Sequence, residues 1–116
     1  MKKQLRLQDL LAAPEMSRSQ RLKLFALVTL GMLDSMTRGV LSADEATRLF
    51  FHADNGLFVR RQLRSKLADR IMSHGVQLAD LFAALSPDTA LRETHRELNV
   101  MRSLCSKLLE SKRLVA

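Results

Sequence analysis

Aromatic residues, cysteine, proline and glycine are scarce in this chain of 116 residues, which has no Trp, no Tyr, one Cys, two Pro and four Gly. A single cysteine excludes an intramolecular disulfide scaffold, and the low glycine and proline content excludes collagen-like and flexible polymer sequences. Apolar residues make up 47% of the chain and charged residues 27%, which is typical of a folded globular domain. Because leucine is abundant and strand-favouring aromatic residues are rare, the composition predicts an all-α fold.

Long apolar runs are also missing. The longest uncharged stretch, residues 24–33, has about half of the roughly 20 residues that a bilayer span requires. In the first ten residues, polar and charged side chains interrupt the leucines, so no signal-peptide pattern is present. We therefore expect a cytoplasmic protein without a membrane partner.

The charge balance is strongly positive. The chain has 19 Lys and Arg against 12 Asp and Glu, which gives a formal net charge of +7. Such a surplus attracts polyanions, so nucleic acid, an anionic surface or an acidic protein partner fits the composition. A basic surface that is merely solvated fits it equally well, and the arrangement of the cations must decide.

Helical periodicity divides the chain into an N-terminal arm and one helical domain. The arm, residues 1–16, is at most a short helix that Pro14 closes. Residues 17–116 are predicted to form a single domain, a bundle of about five helices with a long C-terminal helix. The predicted helices cover residues 20–38, 43–53, 57–73, a short segment around 78–85, and 87–112.

Small polar residues and glycines mark the predicted helix ends. Ser42 and Glu45 have the spacing of a capping box, in which each side chain accepts a hydrogen bond from the backbone amide of the other residue. Gly39 and Gly75 are expected to end the helices that precede them, because glycine readily adopts a positive φ.

The 20–38 helix carries apolar residues around nearly its whole circumference, so we expect it to lie centrally. Gly31 and Ser35 form a small-residue notch on it, where another backbone could approach closely. Phe51 points about 100° away from Phe50 on the next helix, and we expect a second element to cover it.

Three segments of the chain resemble small bacterial helical proteins that are grouped as a domain of unknown function. They are Gly-Met-Leu-Asp-Ser at 31–35, Gly-Val-Leu-Ser-Ala-Asp-Glu-Ala at 39–46, and Leu-Phe-Phe at 49–51. The resemblance implies a bacterial origin and brings no known activity with it.

No residue pattern indicates catalysis or a cofactor. His52 and Asp54 lie close in sequence, but a metal site would need further ligands, and His74 and His95 fall on other predicted helices. Cys105 lies at the centre of an apolar stripe, which favours a packed thiol over a nucleophile. Walker, dinucleotide-binding and nucleophile-elbow motifs are absent from the sequence. We therefore expect no enzyme activity, no cofactor and no bound metal.

The sharpest ligand hypothesis concerns the arginines of the predicted 57–73 helix. Arg60, Arg61 and Arg64 lie early in this helix, which with the preceding helix could form a helix-turn-helix that contacts a polyanion. Projected at 100° per residue, however, the cations of this helix do not form one stripe. Arginine stems that cover apolar surface explain the same residues, so a nucleic-acid-binding regulator is the alternative hypothesis.

The predicted C-terminal helix leads to the favoured hypothesis. Its apolar stripe includes Leu98, Met101, Leu108 and Leu109, and no other predicted helix is as long, so its last turns are expected to lack cover within one chain. A second copy could cover this stripe, or could use the exposed side of the 20–38 helix; the N-terminal arm could also fold back over the stripe. The sequence therefore predicts a protein–protein interaction or regulatory module that acts as a homodimer.

Overall fold

The computed structural model describes residues 4–111, and within this range it contains α-helices and one π-helical turn but no strand. The predicted all-α fold with a long C-terminal helix is thus confirmed. The helices are α1 (Leu7–Leu11), α2 (Arg18–Thr37), α3 (Ala43–Leu49), α4 (Ala53–Phe58), α5 (Lys66–Ala84) and α6 (Pro87–Ser111), with the π-helical turn at Val59–Leu63. No helix in the described part of the chain is long and apolar enough to cross a membrane.

Local capping signals begin and end several helices as predicted. The Ser42 amide donates to Glu45 Oε1 at 2.9 Å and the Glu45 amide donates to Ser42 Oγ at 3.0 Å, so the predicted capping box is confirmed. A second capping box, between Ser17 and Gln20, begins α2. Gly39 has φ +77° directly after α2, the left-handed conformation expected of a helix-ending glycine.

The prediction that Gly75 ends a helix is wrong, because α5 continues through it to Ala84. The predicted short helix around 78–85 is the last part of α5. Gly75 is buried, and a Cβ atom at this position would overlap the ring of Phe51. Glycine is therefore needed here for close packing rather than for its backbone freedom.

The core lies between α2, α5 and α6, with α3 and α4 closing one side. Phe25, Phe50 and Phe51 are fully buried in it. Phe50 stacks on Phe25 at a centroid distance of 6.3 Å and meets Phe51 edge-on at 5.0 Å. The expectation that Phe51 is covered is thus confirmed.

The expectation that the stripe of the C-terminal helix lacks cover is wrong. Leu98, Met101 and Leu108 are each at most 2% exposed within a single chain, and Leu109 is half-buried. The reason is that α2 and α5, with 20 and 19 residues, both pack along α6. The N-terminal arm does not provide this cover, since α1 contacts α2 and α4 among the described helices.

The N-terminal arm is held by Asn55, a buried residue at the start of α4. Asn55 Oδ1 accepts a hydrogen bond from the Leu7 amide at 2.9 Å, and Nδ2 donates to the carbonyl oxygens of Leu5 and Phe50, each at 2.8 Å. The Leu5 amide donates to the carbonyl oxygen of Leu49 at 2.8 Å. Residues 5–7 thus follow α3 and α4 through directed hydrogen bonds.

Candidate interaction surfaces

The three arginines of the sequence hypothesis do not lie on one continuous helix. Arg60 and Arg61 belong to the π-helical turn, and Arg64 follows it in the left-handed conformation, with φ 49° and ψ 50°. Ser65 then caps α5, which begins at Lys66. The predicted helix at 57–73 is therefore wrong: the chain changes direction at Arg64, so these arginines are not presented by a recognition helix. All three side chains are exposed.

A fourth arginine closes the π-helical turn. Arg18, the first residue of α2, donates from Nε to the carbonyl oxygen of Leu63 at 2.7 Å and from Nη2 to that of Arg64 at 2.6 Å. Carbonyl groups at the end of a helical segment lack intrahelical donors, and the planar guanidinium supplies two in parallel. The positions of Arg60 and Arg61 are therefore fixed relative to α2.

A polar pocket of about 360 Å³ lies between α1, α2 and the π-helical turn. Leu11 and Phe58 give it an apolar part. Its polar lining residues are Gln8, Arg21, Arg61 and Gln62. Of the three arginines singled out in the sequence, only Arg61 lines this pocket.

Arg21 is half-buried beside this pocket. Its Nη2 atom donates to the carbonyl oxygen of Ala13 at 3.2 Å, whereas Nε is buried and has no hydrogen-bond partner. A buried donor without an acceptor costs free energy. Sequence reasoning missed this residue because nothing in the local pattern around it distinguishes it from other surface arginines.

The outer face of α2 is open, although the helix contacts α1, α3, α5, α6 and the π-helical turn, as expected of a central helix. Its exposed residues recur at alternating intervals of four and three, ending at the C-cap. They are Gln20, Leu24, Leu27, Gly31, Asp34 and Arg38, and we call them the α2 seam. Leu24 is 36% exposed and Leu27 is 47% exposed. Such spacing is that of the contact positions in paired helices.

Features of the α2 seam differ between its two ends. At the N-terminal end, Met16, Leu24 and Leu27 line a shallow depression of about 390 Å³. Towards the C-terminal end, Gly31 has open space where a Cβ would lie, and Asp34 pairs with Arg38 at 3.0 Å. One end therefore offers large apolar side chains and the other a small residue and a carboxylate.

An apolar pocket of about 330 Å³ lies where the end of α2 and the start of α3 meet α5 and α6. Phe82 and Leu91 line it and are about half exposed. Thr94 also lines it, and its hydroxyl is buried without a hydrogen-bond partner. In contrast, the Thr29 hydroxyl donates to the carbonyl oxygen of Phe25 at 2.8 Å, the usual arrangement for a helical threonine.

Three of the remaining candidate groups, Cys105, His52 and His74, are buried or contact other residues of the chain. Burial raises the pKa of the Cys105 thiol to about 12, which disfavours the reactive thiolate. His52 caps α4, because its ring accepts a hydrogen bond from the Asn55 amide, and its Nε2 lies 3.2 Å from the carbonyl oxygen of Leu5. His74 contacts Glu97. Among residues 4–111, no three His, Cys, Asp or Glu side chains converge as metal ligands.

Comparisons with protein-family models, with curated proteins and with solved structures gave no significant match. The resemblance of residues 31–35, 39–46 and 49–51 to a bacterial domain of unknown function therefore stays a prediction.

Proposed function

We propose that this protein is a small cytoplasmic interaction module that acts as a homodimer, with the α2 seam as its contact surface. The observation that carries the proposal is the seam itself, where two exposed leucines and a glycine recur at the spacing of paired helices. Exposed apolar residues that are aligned along one helix favour association more than scattered ones do. The apolar stripe on α6, which the sequence predicted as the dimer contact, is buried within the chain and is not available for association.

An antiparallel pair of α2 helices is the arrangement that best fits the seam. A two-fold axis between Leu27 and Gly31 sets Leu27 of one copy opposite Gly31 of the other, so a large side chain meets the position without a Cβ. In a parallel pair, Gly31 would face Gly31 and leave a void, which loses packing contacts. A two-fold interface uses the same surface twice, as closed dimers do.

Charge supports the same orientation. In the antiparallel pair, Leu24 lies at the level of Asp34 of the other copy, and half-buried Lys23 lies one residue away along the helix, so opposite charges approach each other. In the parallel pair, Asp34 would face Asp34. Like charges at close range oppose association, and opposite charges fix its register.

The oligomeric state tests the proposal directly. We expect sedimentation equilibrium to report a monomer–dimer equilibrium, which Leu27→Asp shifts to monomer. Leu57→Asp is the matched control, because Leu57 is similarly exposed, at 41%, but lies on α4 away from the seam. A wild type that stays monomeric at all concentrations contradicts the proposal, and so does a dimer that Leu27→Asp leaves intact.

Cysteine cross-linking tests the orientation. We expect a mixture of Leu27→Cys and Gly31→Cys chains to form a disulfide between the two variants, since these positions face each other across the axis. Gly31→Cys alone should cross-link poorly, because a disulfide needs Cβ atoms about 4 Å apart. Native Cys105 does not interfere, being fully buried. Efficient cross-linking of Gly31→Cys alone would indicate a parallel pair.

The second candidate function is nucleic-acid binding by Arg60, Arg61 and Arg64. The observation in its favour is that all three are exposed within five residues and that none pairs with an acidic group of the described chain. Phosphate contacts give binding that weakens steeply with salt. A mobility-shift assay with DNA and RNA at low and moderate salt separates this candidate from the first, because the dimer does not require nucleic acid.

A further inference from the structure

The polar pocket between α1, α2 and the π-helical turn has the properties of a small-molecule site. Its volume, about 360 Å³, lies at the lower end of the range typical for ligand pockets, roughly 300–1,000 Å³. It combines an apolar part, Leu11 and Phe58, with a few polar groups that converge on it. This combination is what fixes both the burial and the orientation of a ligand.

The charge of the pocket specifies the ligand class. Arg21 and Arg61 both line it, and neither forms an ion pair with an acidic side chain within residues 4–111. Gln8 and Gln62 add amide groups that can donate to oxygen. None of the described residues that line the pocket carries a carboxylate. Guanidinium and amide donors without a carboxylate are suited to an anion with several oxygen acceptors.

The fold holds the guanidinium of Arg21 and the backbone segment that carries Arg61. The bond from Arg21 to the carbonyl oxygen of Ala13 orients its guanidinium and leaves Nε without an acceptor. Arg61 lies in the π-helical turn that Arg18 closes, and single π-helical turns occur frequently at functional sites. Donors that are positioned before binding lose less entropy when a ligand arrives.

We propose that this pocket binds a small organic oxyanion, a phosphate or carboxylate group carried on an apolar or aromatic body. Arg21 and Arg61 bind the anion, and Leu11 and Phe58 contact the body. A phosphate monoester and a carboxylate share this chemistry. Separate titrations with phenyl phosphate and with benzoate distinguish a phosphate ligand from a carboxylate ligand. The site lies outside the α2 seam, and the inference does not depend on dimer formation.

Titration of the intact protein, followed by calorimetry and by amide NMR shifts, tests the site. We expect phenyl phosphate or benzoate to bind and to shift the amides of residues 58–62, with inorganic phosphate binding more weakly because it does not contact Leu11 and Phe58. Arg61→Gln should weaken binding roughly tenfold or more, since it removes a charge-assisted hydrogen bond. Failure of all three probes to bind overturns the proposal.

Arg60→Gln is the matched control, because it removes the same charge from the neighbouring residue, which does not line the pocket. We expect it to change affinity less than twofold. If Arg60→Gln and Arg61→Gln weakened ligand binding equally, the cause would be diffuse attraction to a basic surface. That result would overturn the proposal of a binding pocket. Leu27→Asp should leave binding unchanged, so failure of the dimer and failure of the pocket are distinguishable results.

Discussion

Arg18 donates a hydrogen bond from Nη2 to the carbonyl oxygen of Arg64 at 2.6 Å, so two residues of like charge are joined through the backbone of one of them. Arg64 is the only residue other than glycine with a positive φ among residues 4–111. A left-handed conformation costs a residue with a Cβ roughly 1–2 kcal/mol. The contact from α2 offsets part of this cost and keeps the π-helical turn in place.

Replacing Arg18 should therefore destabilise the turn. We expect Arg18→Ala to lower the free energy of unfolding by about 1–3 kcal/mol, because two carbonyl groups lose a charged donor. Arg18→Lys should recover only part of this, since a single ammonium cannot reproduce the planar pair of donors. Urea denaturation measures both variants, and equal stability of wild type and Arg18→Ala would contradict the expectation.

Replacing Asn55 should be more costly than any surface change. Asn55→Ala removes the partner of the Leu7 amide and a donor to the Phe50 carbonyl group, whereas the Leu5 carbonyl group keeps its contact with His52 Nε2. Buried polar groups left unpaired cost about 1–3 kcal/mol each, and we expect a total loss of roughly 3 kcal/mol or more. Asn99→Ala, an exposed control, should change the unfolding free energy little. Thermal or urea unfolding makes the comparison.

Two glycine substitutions should act in opposite directions. We expect Gly75→Ala to destabilise the protein by about 1–3 kcal/mol or more, because its Cβ would overlap the Phe51 ring. Gly56→Ala places a Cβ in open space within α4 and should stabilise by about 0.5–1 kcal/mol through helix propensity. Denaturation midpoints of the two variants test both expectations. If Gly75→Ala stabilised the protein, α5 and α3 would be able to move apart without cost.

Because the buried hydroxyl of Thr94 has no partner, we expect that its removal stabilises the protein. Thr94→Val keeps the shape and removes a hydroxyl that has no partner, so we expect a gain of about 1 kcal/mol in unfolding free energy. Thr29→Val removes a hydroxyl that is hydrogen-bonded to Phe25 and should be neutral or destabilising. A loss of stability in Thr94→Val as large as in Thr29→Val would indicate that its hydroxyl is satisfied.

The capping box of α3 should give a pH-dependent contribution. The hydrogen bonds from the Ser42 amide and hydroxyl, and the charge of Arg48, lower the pKa of Glu45. Because the folded-state pKa is below the unfolded value, this contribution is present above the unfolded pKa and is lost as the pH falls through the folded one. Ser42→Ala should cost about 0.5–2 kcal/mol at neutral pH and less in acid. Urea unfolding across acidic pH checks this.

The sequence predicted features that depend on neighbouring residues better than features that depend on residues far apart in the chain. The Ser42 capping box is formed by residues three apart, and the sequence predicted it correctly. Gly75 was misinterpreted because the local rule for glycine says nothing about Phe51, which is distant in sequence. The apolar face of α6 was predicted correctly, but periodicity shows which face is buried and not which helices bury it.

The candidate sites were predicted less well for the same reason. Arg61 was singled out with Arg60 and Arg64, yet only the fold distinguishes it from them by bringing it to the pocket beside Arg21. The contact of Asn55 with the N-terminal arm was not predicted, since its partners Leu5 and Leu7 lie 50 and 48 residues away. No spacing rule connects residues so far apart.

These long separations have a consequence for synthesis on the ribosome. Leu5 and Leu7 are made before the Asn55 side chain that binds them, which is added 48 residues after Leu7. The amide and carbonyl groups of residues 5–7 therefore stay hydrated until α3 and α4 have left the ribosome. Since a chain is made from the N-terminal to the C-terminal end, this earlier segment docks only after helices that are synthesised later.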